Sequence, residues 1–256
     1  MSRTALTVAV AVALTDTVGR WAASVALGTG VQPIGFVLVA AALVTGRPAR
    51  WGSAAGLFAA GVVLGDWTGA VVHANAAFVA TTIAVRLWDR SDGRDVGWMA
   101  WLPSYVVVAV TALFAFAATS AVLSDVLGRV AFGSTLGRII VTTLPLALVG
   151  APVVRPLVER AAGTPWSLPG RSLSGRSRTV VVGTVLCWAV GGYVGSLLFG
   201  AVEQAPEGAF ARRFSPAVEA FIALWGPGGT YAQLLLGVAA LAVVAVVLRR
   251  SRSGVS

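Results

Sequence analysis

Residues 51–88 read WGSAAGLFAAGVVLGDWTGAVVHANAAFVATTIAVRLW. A helix rising 1.5 Å per residue needs roughly 20 apolar residues to cross a hydrocarbon core of about 30 Å. This run is too long for one crossing and too apolar to lie outside a bilayer, so it must turn back on itself. Gly65-Asp66-Trp67-Thr68-Gly69 holds the glycines and the polar group that a turn uses. A turn at His73 to Asn75 is the alternative, and either leaves the same number of crossings.

Outward from this hairpin the same pattern repeats. Apolar runs at about 4–27, 31–46, 51–65, 70–88, 98–124, 135–158, 177–202 and 229–248 predict an all-helical, polytopic membrane bundle of about eight transmembrane helices. Composition points the same way: 57% of the 256 residues are hydrophobic and 11% charged, where a soluble domain has about a quarter charged. Mean hydropathy is +0.85. Thr4–Leu14 has the length of a signal-peptide core, but Asp16 and Arg20 break the pattern of a cleavage region and the chain continues apolar beyond them, so it reads as the first span.

All 19 basic residues are Arg, and apart from Arg20 they cluster between the apolar runs and near their ends rather than forming the patch that nucleic acid would require. Assigned alternately to the two sides, fourteen fall on one: Arg3; Arg47 and Arg50; Arg86, Arg90 and Arg94; Arg155, Arg160, Arg171, Arg176 and Arg178; Arg249, Arg250 and Arg252. The other side receives Arg129, Arg138, Arg212 and Arg213, with Arg20 inside the first run. Since short cytoplasmic loops are rich in Arg and Lys, both termini are expected in the cytoplasm of a multi-pass cell-membrane protein.

The chain divides at residues 161–178, a Pro-, Gly-, Ser- and Arg-rich stretch expected to be a cytoplasmic linker. It parts a six-helix unit, 1–160, from two additional helices within 179–256, which are joined by an outer loop at 203–228. That loop has apolar residues at near-helical spacing, from Phe210 to Trp225, consistent with a surface amphipathic helix or a packed loop.

Motifs for chemistry are sparse. There is no His-Glu-x-x-His, no Gly-x-Ser-x-Gly and no Walker loop, and Cys187, within an apolar run, reads as a packed hydrophobe. The chain is read as no enzyme, with no cofactor and no metal. Asp16 and Arg20, four apart on one helical face, are expected to pair with each other. Gln32, Asp66, Trp67, His73, Asn75 and Arg138 share one depth near the outer surface. A few polar groups among apolar walls are what a small-molecule pocket needs, and the same residues could instead be ordinary interfacial ones. In the first run Ala5, Ala9 and Ala13 form a small-residue stripe on which another helix can approach closely.

Taken in order along residues 1–160, these features resemble the substrate-binding (S) component of energy-coupling factor transporters. The resemblance rests on Ala5-xxx-Ala9-xxx-Ala13; on the basic turn and Gly-rich helix Gly46-Arg47-Pro48-Ala49-Arg50-Trp51-Gly52-Ser53-Ala54-Ala55-Gly56; on Gly65-Asp66; and on Pro145 with Pro152-Val153-Val154-Arg155-Pro156-Leu157. It implies a membrane subunit that takes a vitamin-like micronutrient from outside, docks by the Ala stripe on a membrane scaffold subunit, and is driven by separate cytoplasmic ATPases. The last two helices have no counterpart in a minimal S component. Gly35 through Gly69 also resembles the integral-membrane sensor domains of bacterial signalling proteins, and a structural or assembly protein with no ligand is the rival expectation.

Overall fold

The computed structural model describes residues 2–26, 34–88, 97–161, 173, 175–203, 224–226 and 229–253, with only the backbone at 20–26, 200–203 and 252–253. Among these residues there is no strand. The helices are α1 (Arg3–Ala26), α2 (Ile34–Thr45), α3 (Arg47–Val63), α4 (Trp67–Leu87), α5 (Trp98–Val126), α6 (Phe132–Val149), α7 (Ala151–Ala161), α8 (Gly175–Glu203) and α9 (Thr230–Ser253).

Five of them, α4, α5, α6, α8 and α9, are long and apolar enough to cross a membrane. Among the described residues the remaining expected spans are not counted with these five, for different reasons. In α1 the side chains are described only as far as Gly19. Helix α2 is very apolar but has 12 residues, which at 1.5 Å each is roughly 18 Å. The 17 residues of α3 include the charges of Arg47 and Arg50 and the small or ring-closed Pro48, Gly52 and Gly56, which add little apolar surface. The expected run 135–158 is divided into α6 and α7 at Gly150; Pro152, just beyond, has no N–H to continue the helical ladder.

The 51–88 hairpin turns at Leu64–Asp66, the first of the two expected places, and His73 and Asn75 lie within α4. Gly65 supplies the left-handed residue of this turn, at φ 74°. A single residue, Gly46 at φ 67°, reverses the chain between α2 and α3. Helix α8 begins at Gly175, so the end of the expected 161–178 linker is helical, while residues 162–172 and 174 lie outside the described residues. Most of the expected outer loop, 204–223 and 227–228, lies outside them too.

Helix α5 is the hub. Of its most apolar stretch 72% is buried, against 28% for α8 and 22% for α9, so α5 is enclosed while the last two helices form an outer wall. Trp101, Tyr105, Phe116 and a series of alanines from Ala109 to Ala121 fill its contacts. It packs on α2, α4, α6, α8 and α9.

Contacts between helix ends sort into two levels. At the Arg-rich level the Arg86 guanidinium donates to the Leu248 carbonyl (2.9 Å) and the Ser251 hydroxyl (2.6 Å), Leu173 N–H donates to the Arg86 carbonyl, and Arg155 lies 5.3 Å above the Trp98 ring. At the opposite level the α3–α4 turn meets the α5–α6 turn, and Gly133 N–H donates to Ser196 Oγ at 3.1 Å. Arg86 is buried, and its charge sits where the C-terminal carbonyls of α9 gather partial negative charge.

Candidate functional site

The polar centre at the level opposite the Arg-rich ends is built around Asp66. Its position before Trp67 makes it the N-cap of α4: the carboxylate accepts from Gly69 N–H at 2.9 Å, satisfying a donor that the helix start leaves unpaired. A Cβ at Gly69 would run into the Asp66 carboxylate as it is placed, so any side chain there would make the carboxylate shift. The same carboxylate oxygen lies 3.0 Å from the Arg129 guanidinium, in the turn between α5 and α6. That turn is made by Gly128 at φ 66°, as the facing one is by Gly65.

The side chains of this pair are 31% and 41% exposed, so the clasp is open to solvent. Partial burial pushes the Asp66 carboxyl up, but the Gly69 N–H, the Arg129 guanidinium and, at longer range, His73 outweigh it and hold the group below its ordinary value. Trp67 beside it is 63% exposed, its ring edge-on to Phe58 with centroids 6.4 Å apart. Seven residues beyond Asp66 and on the same face of α4, half-buried His73 stacks on Phe116 of α5 at 6.1 Å. The Arg129 guanidinium, the Asp66 carboxylate and the Trp67 ring are thus open to solvent together, and the His73 imidazole lies two turns of α4 further in.

Asn75 and Arg138, also expected in the pocket, are not brought here. Asn75 is exposed and donates to the Val71 carbonyl of its own helix at 2.8 Å; two residues from His73, it points about 200° away around the helix. Arg138 is exposed on α6. Helices α4 and α6 each pack on α2 and α5 and share no substantial contact, which separates Arg138 from Asp66. The cation that Asp66 meets is Arg129. Gln32 lies outside the described residues. Arg129 could have been found by asking which Arg belongs to a turn at the same end as residues 64–66.

The Ala stripe is occupied within the chain. Ala5 and Ala9 are buried against α3, where a Cβ on Gly52 would come 2.7 Å from the Ala5 carbonyl and one on Gly56 2.5 Å from the Ala9 carbonyl. Gly52-xxx-Gly56 is the complementary small-residue stripe, so α1 and α3 touch backbone to backbone. The face expected to dock on a scaffold is covered by α3 at these two positions, and Ala13 is half-buried. Asp16 is buried in α1, and its expected partner Arg20 has a side chain outside the described ones.

The Arg-rich end has an aromatic column that the sequence did not reveal. Trp98, Trp101 and Tyr105 stack in series at 5.5 and 4.9 Å, with Trp88 edge-on to Trp101, and the Tyr105 hydroxyl donates to the Ala147 carbonyl. It ties α4, α5 and α6 together. Among the described residues no three of His, Cys, Asp and Glu form a metal-holding group. The chain matches no family model, no curated protein and no solved structure.

Proposed function

We propose that this chain is a non-enzymatic, multi-pass protein of the cell membrane that recognises a small molecule at its outer face, in the manner of the binding subunit of an uptake transporter. Eight crossings with both termini cytoplasmic agree with the Arg bias, and the sorting of helix-end contacts into two levels supports that alternation.

The observation that carries the reading is the solvent-open Asp66–Arg129 clasp beside exposed Trp67. A ligand carboxylate or phosphate can replace Asp66 on the planar Arg129 guanidinium, which binds such groups by two parallel hydrogen bonds. Asp66 keeps its bond to Gly69 N–H meanwhile, so the exchange leaves α4 capped. Trp67 offers a face for an apolar or heteroaromatic part of the ligand. The two turns are held together by the clasp, so its opening on binding would signal occupancy to α4 and α5. A vitamin-like or similar micronutrient of anionic or zwitterionic character fits this chemistry. In the uptake reading, separate ATPases supply the energy, and a scaffold would dock on a surface other than that of Ala5 and Ala9.

The burial of those two alanines favours a second reading, in which the chain is a sensor-like or structural membrane protein with no transported ligand. Small-molecule mass spectrometry of the purified full chain tests the two. A retained anionic compound is expected on the first reading; a chain that carries none after mild extraction supports the second.

A further inference from the structure

At the Arg-rich end, on the outward face of α3, lies an open recess of about 830 Å³. Arg47 and Arg50 stand at its mouth, Trp51 and Phe58 form its walls and Ala54 and Ala55 its floor, while α1 at Ala5 and α4 at Ala74 close the sides. The space is open because the residues between Trp51 and Phe58 and those facing them, Ala54, Ala55, Ala5 and Ala74, are all small. Trp51 is held upright by Phe78, with ring centroids 4.8 Å apart.

From this juxtaposition of two Arg side chains with an apolar recess, we infer that the α3 face is a binding site for an anionic phospholipid. The site's two Arg side chains lie at the end of α3 opposite the outer clasp, and Phe58 is the residue of its lining that meets Trp67. Its charge is of one sign: no acidic residue lines the recess among the described residues. Arg47 is exposed, and Arg50 Nε donates to the backbone carbonyl of Arg47 at 3.3 Å, which holds the Arg50 side chain at the start of α3, one turn from Arg47. Guanidinium groups recognise phosphate oxygens bidentately, and basic pockets between membrane helices suit anionic head groups. From Arg47 to Phe58 the helix rises roughly 16 Å at 1.5 Å per residue, about half of a hydrocarbon core of about 30 Å. The recess is therefore as deep as one leaflet, with its charges at head-group level and its alanine floor at acyl-chain level. Trp51 is placed at the boundary that Trp prefers.

The full chain, reconstituted into vesicles of phosphatidylcholine with phosphatidylglycerol and released gently, should carry bound phosphatidylglycerol in native mass spectrometry. R47Q/R50Q should reduce the bound fraction by roughly tenfold, since each Arg near an anionic surface adds appreciably to binding. Ala55→Phe, which fills the floor and leaves the charge unchanged, should reduce it comparably; this variant carries the test if the double variant misfolds. R249Q/R250Q removes equal charge at the same end and should leave retention unaltered. The inference is overturned if R47Q/R50Q or Ala55→Phe retains lipid like the parent, if R249Q/R250Q loses as much, or if a protein subunit rather than lipid is found on this face.

Discussion

The carboxylate of Asp66 and the guanidinium of Arg129, 63 positions apart by their numbers, meet at 3.0 Å and join the α3–α4 turn to the α5–α6 turn. Asp66 also caps α4 through Gly69 N–H, so two kinds of stabilisation depend on one ionised group. The carboxyl lies below its ordinary value in the folded chain. Its contribution is therefore complete above the unfolded-state value of about 3.9, and is lost as pH falls through the lower folded value. Thermal unfolding in detergent should show no change from this group between pH 7 and 5 and a decline below about pH 4. Asp66→Ala should cost about 1 kcal/mol for the cap and remove that acid dependence; Arg129→Gln, which breaks a solvent-exposed pair, should cost less than about 1 kcal/mol.

Helix α1 touches α3 where Ala5 and Ala9 face Gly52 and Gly56. Ala9→Leu should destabilise the isolated chain by about 1–3 kcal/mol, the usual cost of overfilling a packed contact. Leu6→Ala, on the exposed face of α1, should change its stability little. Equal stability of Ala9→Leu and the parent in thermal unfolding would contradict the close α1–α3 contact.

Arg86 holds the end of α9 through the Leu248 carbonyl and the Ser251 hydroxyl. Hydrogen bonds to a charged group contribute about 1.5–3 kcal/mol, so Arg86→Met should destabilise by about that amount and expose the chain near Ser251 to limited proteolysis. A cleavage pattern identical to that of the parent would show that α9 is held elsewhere.

Gln233 is buried in α9 and donates to the Gly192 carbonyl of α8 at 2.8 Å. Interhelical bonds of this kind contribute about 0.6 kcal/mol on average. Gln233→Leu should therefore change unfolding by less than about 1 kcal/mol, whereas Gly192→Leu should disrupt the packing of α8 on both α9 and α6, because a Cβ there would lie 2.8 Å from Gln233 Oε1 and 2.7 Å from the Phe132 ring. Similar unfolding of the two variants would count against this contact geometry.

The hairpin of residues 51–88 was legible because two facts sufficed: the run exceeds one crossing, and Gly65-Asp66 is the polar break within it. Hydropathy gives depth along the membrane normal, which is why Asp66, His73 and Arg138 could be set at one level. It gives no azimuth between helices. Asn75 and His73 share a depth yet point about 200° apart on one helix, and Arg138 is kept from Asp66 because α4 and α6 lie on α2 and α5 rather than on each other. The Ala stripe was likewise visible as a surface for close approach, but a stripe does not name its partner. Gly52-xxx-Gly56, present in the quoted helix, supplies that partner inside the chain. Arg86 was hidden for a different reason: counted as a loop cation, it is the last charged residue of a helix that continues to Leu87, and its partners lie at the far end of the chain.

On the proposed function, Arg129 at the solvent-open clasp is the group that holds a small anionic molecule. The most direct measurement compares the small molecules retained by the purified parent chain, Arg129→Gln and Arg138→Gln by quantitative mass spectrometry. The parent and Arg138→Gln should retain the same compound to the same extent, and Arg129→Gln should lose most of it. Retention by Arg129→Gln equal to that of the parent, or loss in Arg138→Gln alone, would contradict this role.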